Sequence, residues 1–144
     1  MLMRAIEEAE QLTAISLIWG TFLEFEAPDY TEEGVQEFKK FIDDEYLFER
    51  LEFFGAFEDD VLKGVIAARN GVEHIALFFV PAQFQRQGIG RALWQHMLAK
   101  STFDAITVNS SPFAVPVYKK LGFVEIAPQQ ETNGIIFTLM QYVK

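Results

Sequence analysis

Hydrophobic positions along the chain keep one of two periods, and each switch between them marks a structural element. From Glu7 to Phe25, Leu12, Ile15, Ile18, Trp19, Phe22 and Leu23 recur at three- and four-residue steps, which predicts an amphipathic helix. Pro28 and Asp29 end it. Thr31 is placed to cap a second helix, with Glu32 and Glu33 in its first turn and Val35, Phe38, Phe41 and Ile42 as its apolar stripe. Met1 to Ile6 reads as a short edge strand ahead of both. Asp43 to Leu51, where charges and aromatics mix, reads as helix end and loop.

Past Leu51 the pattern becomes that of strands. Phe53 to Phe57, a Glu58-Asp59-Asp60 turn, Val61 to Arg69, an Asn70-Gly71 turn and Val72 to Val80 predict three consecutive antiparallel strands joined by hairpins. Pro81 stops the third, a Gln-rich turn follows, and Ala92, Leu93, Trp94, Met97 and Leu98 restore helical spacing. Next come a strand at Ala105 to Asn109, a helix from about Phe113 to Leu121, a strand near Phe123 to Ile126 and a last strand from Gly134 to Tyr142. The predicted order is β-α-α-β-β-β-α-β-α-β-β. It describes one α/β (α+β) domain over residues 1–144, with a mixed, largely antiparallel sheet flanked by helices.

Composition narrows the picture. Half of the 144 residues are hydrophobic and 15 are Phe, as in a globular domain with a sizeable core. No run approaches the ~20 apolar residues of a membrane span, and acids at Glu7, Glu8 and Glu10 do not fit a signal peptide. No membrane association and a cytoplasmic location are the expectations. The absence of cysteine rules out disulfides and thiolate metal sites, and the two histidines, His74 and His96, lie too far apart in sequence for a ligand pair. A net charge of −9 argues against nucleic acid as a partner. The charge is unevenly spread: residues 1–60 hold 17 acids and 4 bases, residues 61–144 hold 4 acids and 8 bases. Acidic surface also serves solubility, so this asymmetry alone assigns no partner.

The Gln-rich turn carries the candidate chemistry. Gly88 and Gly90, two apart, open a helix between a strand and its apolar stripe, so free backbone N–H groups and the positive end of a helix dipole meet where side-chain bulk is least. Such a site suits phosphate. It is not a P-loop, because Gly90 is followed by Arg91 and Ala92. It is not a dinucleotide fingerprint either, because position 93 is Leu and Ser110 and Ser111 stand where an acid is needed. Gln85-Arg86-Gln87-Gly88-Ile89-Gly90 fits Q/R-x-x-G-x-G/A, which resembles the acetyl-CoA-binding motif of the GCN5-related N-acetyltransferase (GNAT) superfamily. A second signature, Ala114 four residues before Tyr118 and then Leu121-Gly122-Phe123, follows at the expected separation, and the element order matches along nearly the whole chain.

The resemblance implies acetyl-CoA as cosubstrate and an amine as acceptor. It places the pyrophosphate on backbone N–H groups of Arg86, Gln87, Gly88, Ile89, Gly90 and Arg91, after Gln85, with charge from Arg86 or Arg91. The pantetheine arm would pair with the main chain of Phe79 and Val80, and the Val80 N–H would meet the oxyanion. Tyr118 stands where the family places the phenol that protonates the leaving thiolate, and an ordinary phenol pKa near 10 keeps it protonated. Many members carry Asn where this chain has Ser111, so Ser111 and Asn109 are both candidates for the arm. For the base, strict alternation along His74 to Val80 puts His74 on Val80's face, about 20 Å away at ~3.3 Å per residue, which favours action through water or substrate positioning. If the acidic first half covers the acceptor side, the acceptor is a cationic small molecule such as a polyamine, amino sugar or basic amino compound. A protein or peptide amine, or a non-catalytic acetyl-CoA-binding regulatory role, is the alternative. A homodimer is compatible with the sequence, which does not specify oligomeric state.

Overall fold

The structure is a computed structural model that describes residues 1–69 and 71–144. Strand β1 (Leu2–Ala5) leads through a turn of 3-10 helix into α1 (Gln11–Phe25). A second such turn, Ala27–Asp29, connects to α2 (Glu32–Ile42), where the Thr31 hydroxyl accepts from the Gly34 N–H at 3.2 Å as the capping residue. Acids open α2, and Lys39 and Lys40 sit in its last turn, so both ends complement the helix dipole. The ambiguous stretch after it holds a four-residue helix, α3 (Leu47–Arg50), which runs straight into β2 (Leu51–Glu58). Aspartates 59 and 60, both at positive φ, turn β2 back into β3 (Val61–Arg69).

The next strand, β4 (His74–Phe79), begins later than expected because Val72 is still in the turn, at φ 58°. Of the expected Asn70-Gly71 turn, Asn70 lies outside the described residues. A 3-10 turn at Ala82–Phe84 leads to α4 (Ile89–Lys100), followed by β5 (Ala105–Ser110), α5 (Val115–Lys120), β6 (Val124–Glu125), β7 (Gln130–Thr132) and β8 (Ile135–Val143). Strand β7 is additional to the predicted order. It pairs with β8 through Asn133-Gly134, both at positive φ, a dipeptide suited to a two-residue hairpin.

Eight strands form one sheet in the order β1-β2-β3-β4-β5-β8-β6, with β7 on β8. Pairing is antiparallel except between β4 and β5, as the mixed, largely antiparallel expectation has it. Two apolar clusters cover the two faces. On one, α4 and α5 bring Ile89, Leu93, Trp94, Met97 and Tyr118 against Ile66, Ile75 and Val108. On the other, α1 and α2 bring Ile18, Phe22 and Ile42 against Val65, Leu77 and Phe79, and Phe38 stacks on Phe22 with ring centroids 3.9 Å apart.

Two irregularities in β4 position the site. Against β3, Ala67 faces Leu77 and Ala68 faces Ile75, which leaves Ala76 as an inserted residue, a β-bulge. The bulge inverts the alternation of side chains, so Ile75 joins the α4 face, Leu77 the α1 face, and Phe78 and Val80 the α4 face again. Against β5, pairing stops after His74–Thr107 and Ile75–Val108. Beyond Ile75 the two parallel strands have separated, while β5 stays paired with β8 as far as Ser110–Thr138.

Candidate active site

The separation of β4 and β5 leaves a pocket of about 180 Å³ lined by residues from both faces of the sheet. From the α1/α2 face it is lined by Glu26, Tyr30, Phe38, Phe41, Ala76 and Phe79, and from the α4/α5 face by Phe78, Ala114 and Tyr118. Val108, Asn109 and Ser111 supply the β5 side, and Ile135 of β8 completes the wall. The wall depends on a close backbone approach: a Cβ on Gly34 of α2 would lie 2.1 Å from the carbonyl oxygen of Gly134, just before Ile135. Only glycine lets α2 seat against that hairpin.

At the end of β4, the Val80 amide donates to no backbone or side-chain acceptor among the described residues. Its carbonyl is taken by the Gln85 side chain, whose Nε2–H donates to it at 2.9 Å and so clips the following loop to the strand. Gln85 therefore has a structural partner inside the chain. Gln87 likewise donates to the Gln83 carbonyl at 3.3 Å.

After this clip the loop turns at Arg86 (φ 63°) and Gly88 (φ 82°), and Gly88 caps α4 in the left-handed conformation. The first amide with a backbone acceptor is that of Ala92, on the Gly88 carbonyl at 3.0 Å. Among the described residues the amides of Arg86 through Arg91 donate to nothing in the chain, an array of unspent donors at the positive end of a twelve-residue helix. The Ile89 side chain is buried in the core, so only its amide belongs to this array. A Cβ on Gly90 would make ordinary contacts, 3.7 Å from Phe78, and leaves the backbone open above it. Arg86 and Arg91 are exposed, and Arg91 Nη2–H reaches the Lys120 carbonyl at 3.2 Å, which ties α4 to the basic end of α5. The loop thus presents main-chain donors with cations beside them, an arrangement suited to a phosphate-bearing ligand.

Tyr118 is 5% exposed, with its ring held edge-on by Phe78 and Phe123. Burial, and then the nearby charge of Glu26, push its hydroxyl above the ordinary phenol value. The proton is therefore held across the physiological range. Ser111 is buried, and its hydroxyl accepts from the Ala114 amide at 3.2 Å, which starts α5. Asn109 is exposed at the pocket edge.

His74 does not stand where simple alternation placed it. The Ala76 bulge puts its imidazole on the face opposite Val80, where Nδ1 and the Thr107 hydroxyl are 2.7 Å apart, and it is not among the pocket residues. Burial, with Arg69 adding to it, lowers its pKa to about 4.

Glu26, one of 17 acids in the first 60 residues, carried no sequence signal beyond its place between Phe25 and Ala27. It caps the C-terminus of α1 through its amide, which donates to the Phe22 carbonyl at 2.9 Å. The neighbouring Phe25 stacks on Phe113 at 4.7 Å and so fixes the helix end against the loop that carries Ser111. Burial raises the Glu26 carboxyl to about 7; the Ser111 hydroxyl acts against that shift and Asp29 adds to it.

The Acetyltransferase (GNAT) domain family matches residues 26–144. No curated protein matches the chain. Among solved structures, a GCN5-related N-acetyltransferase from Rhodopseudomonas palustris superposes with a TM-score of 0.85 at 19% identity, over 99% of this chain and 95% of that one. The PaiA N-acetyltransferase of Thermoplasma acidophilum, solved in complex with coenzyme A, gives 0.77 at 19% identity, over 99% and 98%. Tetrahymena GCN5 gives 0.69 at 17%, over 99% and 96%. With the family match extending over most of the chain, from Glu26 to the end of β8 and beyond, the protein belongs to the GNAT acetyltransferase family and is an acetyl-CoA-dependent N-acetyltransferase.

Proposed function

We propose that this chain, working as one domain, acetylates a small primary amine that is cationic in solution and has a largely apolar body. The observation that carries this reading is the pocket through the β4–β5 opening, with one carboxylate and several aromatic rings on one face and a phenol on the other. Acetyl-CoA lies with its diphosphate on the Arg86–Arg91 amides and its pantetheine arm along the main chain of Phe79 and Val80, so the thioester reaches the opening from the α4/α5 face. The amine enters from the α1/α2 face, where Tyr30, Phe38 and Phe41 surround the Glu26 carboxylate. Aromatic faces and a single anion favour one ammonium group on an apolar frame. The acidic first half of the chain draws cations to that side.

In the reaction the amine nitrogen bonds to the thioester carbon and the C–S bond breaks. The Val80 N–H stabilises the oxyanion, since Pro81 has no N–H to give. Tyr118 donates its proton to the departing thiolate. Asn109 and Ser111 border the arm, and Ser111 also fixes the start of α5. The test is acetyl-CoA turnover, read as free thiol, against amines that differ in charge and apolar bulk. Turnover led by monocationic amines supports the reading, and acetyl-CoA binding without turnover on any amine refutes it.

A further inference from the structure

An alkyl amine with a pKa near 10.4 reaches the pocket as an ammonium ion and has no lone pair until a proton leaves it. Three titratable side chains line the pocket: Glu26, Tyr30 and Tyr118. Tyr118 stands on the thioester side, and both phenols are pushed upward, first by burial and then by the charge of Glu26, so neither is ionised at neutral pH to accept a proton. His74 shares the α1/α2 face but does not line the pocket, and its Nδ1 is engaged at the Thr107 hydroxyl. Glu26 is the remaining group, and it lies on the α1/α2 face, across the sheet from Tyr118.

We propose that Glu26 binds the acceptor's ammonium group and takes its proton, which makes it the general base of the transfer. The assignment rests on the amine-acetylation reading above. The carboxylate becomes a carboxylic acid and the ammonium a neutral amine. The amine lone pair forms the C–N bond, the C–S pair leaves as thiolate, and the thiolate takes the Tyr118 proton. The extra proton on the new amide nitrogen restores the Tyr118 hydroxyl through solvent, and Glu26 releases its own proton to solvent. The sum is an ammonium ion and a thioester giving an amide, a thiol and one proton.

Environment and position suit this work. Facing Glu26 are Asp29 and Tyr30 from its own turn, Ser111 from the loop after β5, Tyr118 from α5 and the uncharged rings of Phe38 and Phe41 from α2; no Lys or Arg lines the pocket among the described residues. With no cation to hold it down, the carboxyl rises to about 7. An ordinary carboxylate would face a proton-transfer penalty of about 10⁶ against such an amine, and a carboxylate near 7 faces one of about 10³. The aromatic pair Phe25–Phe113 and the α1 cap fix the backbone that carries the Glu26 side chain into the pocket.

The experiment compares pH profiles of kcat/KM for the parent, Glu26→Gln and Glu26→Asp, using the amine that the parent acetylates fastest, with acetyl-CoA affinity by calorimetry in parallel. The parent should show an acidic limb with its midpoint near 7. Glu26→Gln should bind acetyl-CoA as the parent does, lose about 10²-fold in kcat/KM at neutral pH, and replace the limb by a steady tenfold rise per pH unit toward the amine's own pKa. Glu26→Asp should be slower than the parent but keep a limb. Superimposable profiles for parent and Glu26→Gln would overturn the assignment and leave amine acetylation standing. A parent that binds acetyl-CoA and acetylates no amine would overturn both.

Discussion

Glu26 and Tyr118 line one pocket from opposite faces of the sheet, and the charge of Glu26 adds to the burial that keeps the Tyr118 hydroxyl protonated. The proposed acid and base are thus separated by the opening itself, and ionising one makes the other harder to ionise.

Tyr118→Phe removes only the hydroxyl and keeps the ring contacts with Phe78 and Phe123. Turnover should fall roughly 10²-fold, with thermal stability and acetyl-CoA affinity close to the parent's. A Phe variant with parent kcat would remove the phenol from the reaction.

Gly90→Asp sets an anion among the amides proposed for the diphosphate, at a position with room for a Cβ. Acetyl-CoA affinity measured by calorimetry should fall at least tenfold, about 1.4 kcal/mol. Gly90→Ala, which fits the same space, serves as the neutral control. A folded Asp variant that binds as tightly as the parent would show that the diphosphate lies elsewhere.

Two buried groups tilt stability in opposite directions with pH. His74 has a folded pKa below its unfolded value, so its contribution is full above about 6.5 and is lost as pH falls toward 4. Glu26 has a folded pKa above its unfolded value, so its contribution is full below about 4.5 and is lost as pH rises through 7. Melting curves should therefore show Glu26→Gln more stable than the parent at pH 8, with the difference narrowing as pH falls from 7 to about 4.5. Over the same range His74→Gln should flatten the loss of stability between pH 6.5 and 4, and its kcat/KM profile above pH 6 should follow the parent's. If His74→Gln instead loses an acidic limb, the histidine takes part in the chemistry despite its place outside the pocket lining.

Acceptors should rank by charge and shape. Primary amines with one ammonium group and an aromatic or branched apolar body should exceed polyamines and amino sugars in kcat/KM, and all should lose rate as salt is raised. An acidic amino acid at the head of the panel would contradict the proposed acceptor class.

Much of the fold was legible because local rules and tertiary structure agree. Thr31 caps where a cap is expected, and Val61 to Arg69 forms a strand with its predicted ends. The glycine loop could be located because a left-handed residue at Gly88 ahead of an apolar helical stripe leaves few alternatives. The face assigned to His74 failed for a specific reason: one extra residue at Ala76 inverts a period of two, and an Ala in an apolar run gives no sign of a bulge. Strand β7 did have a signal, in Asn133-Gly134, but the polar residues before it mask a short exposed strand. Glu26 had none, because its chemistry comes from neighbours contributed by α2, β5 and α5, far along the chain.

The parting of β4 from β5 also bears on how long the protein lasts. Between Ile75 and the loop, β4 lacks a partner on its β5 side, so the sheet is short of one stretch of ladder that an extended, amide-bearing ligand can supply. In the proposed binding mode, acetyl-CoA would act as a removable segment of secondary structure as well as a substrate. Ligand at a hundred times its dissociation constant adds about 2.7 kcal/mol to the folded state, roughly 5–10 °C in melting temperature for a domain of this size. Resistance to unfolding and to proteolysis would then rise and fall with the supply of acetyl-CoA, and so would the steady-state amount of enzyme available to use it.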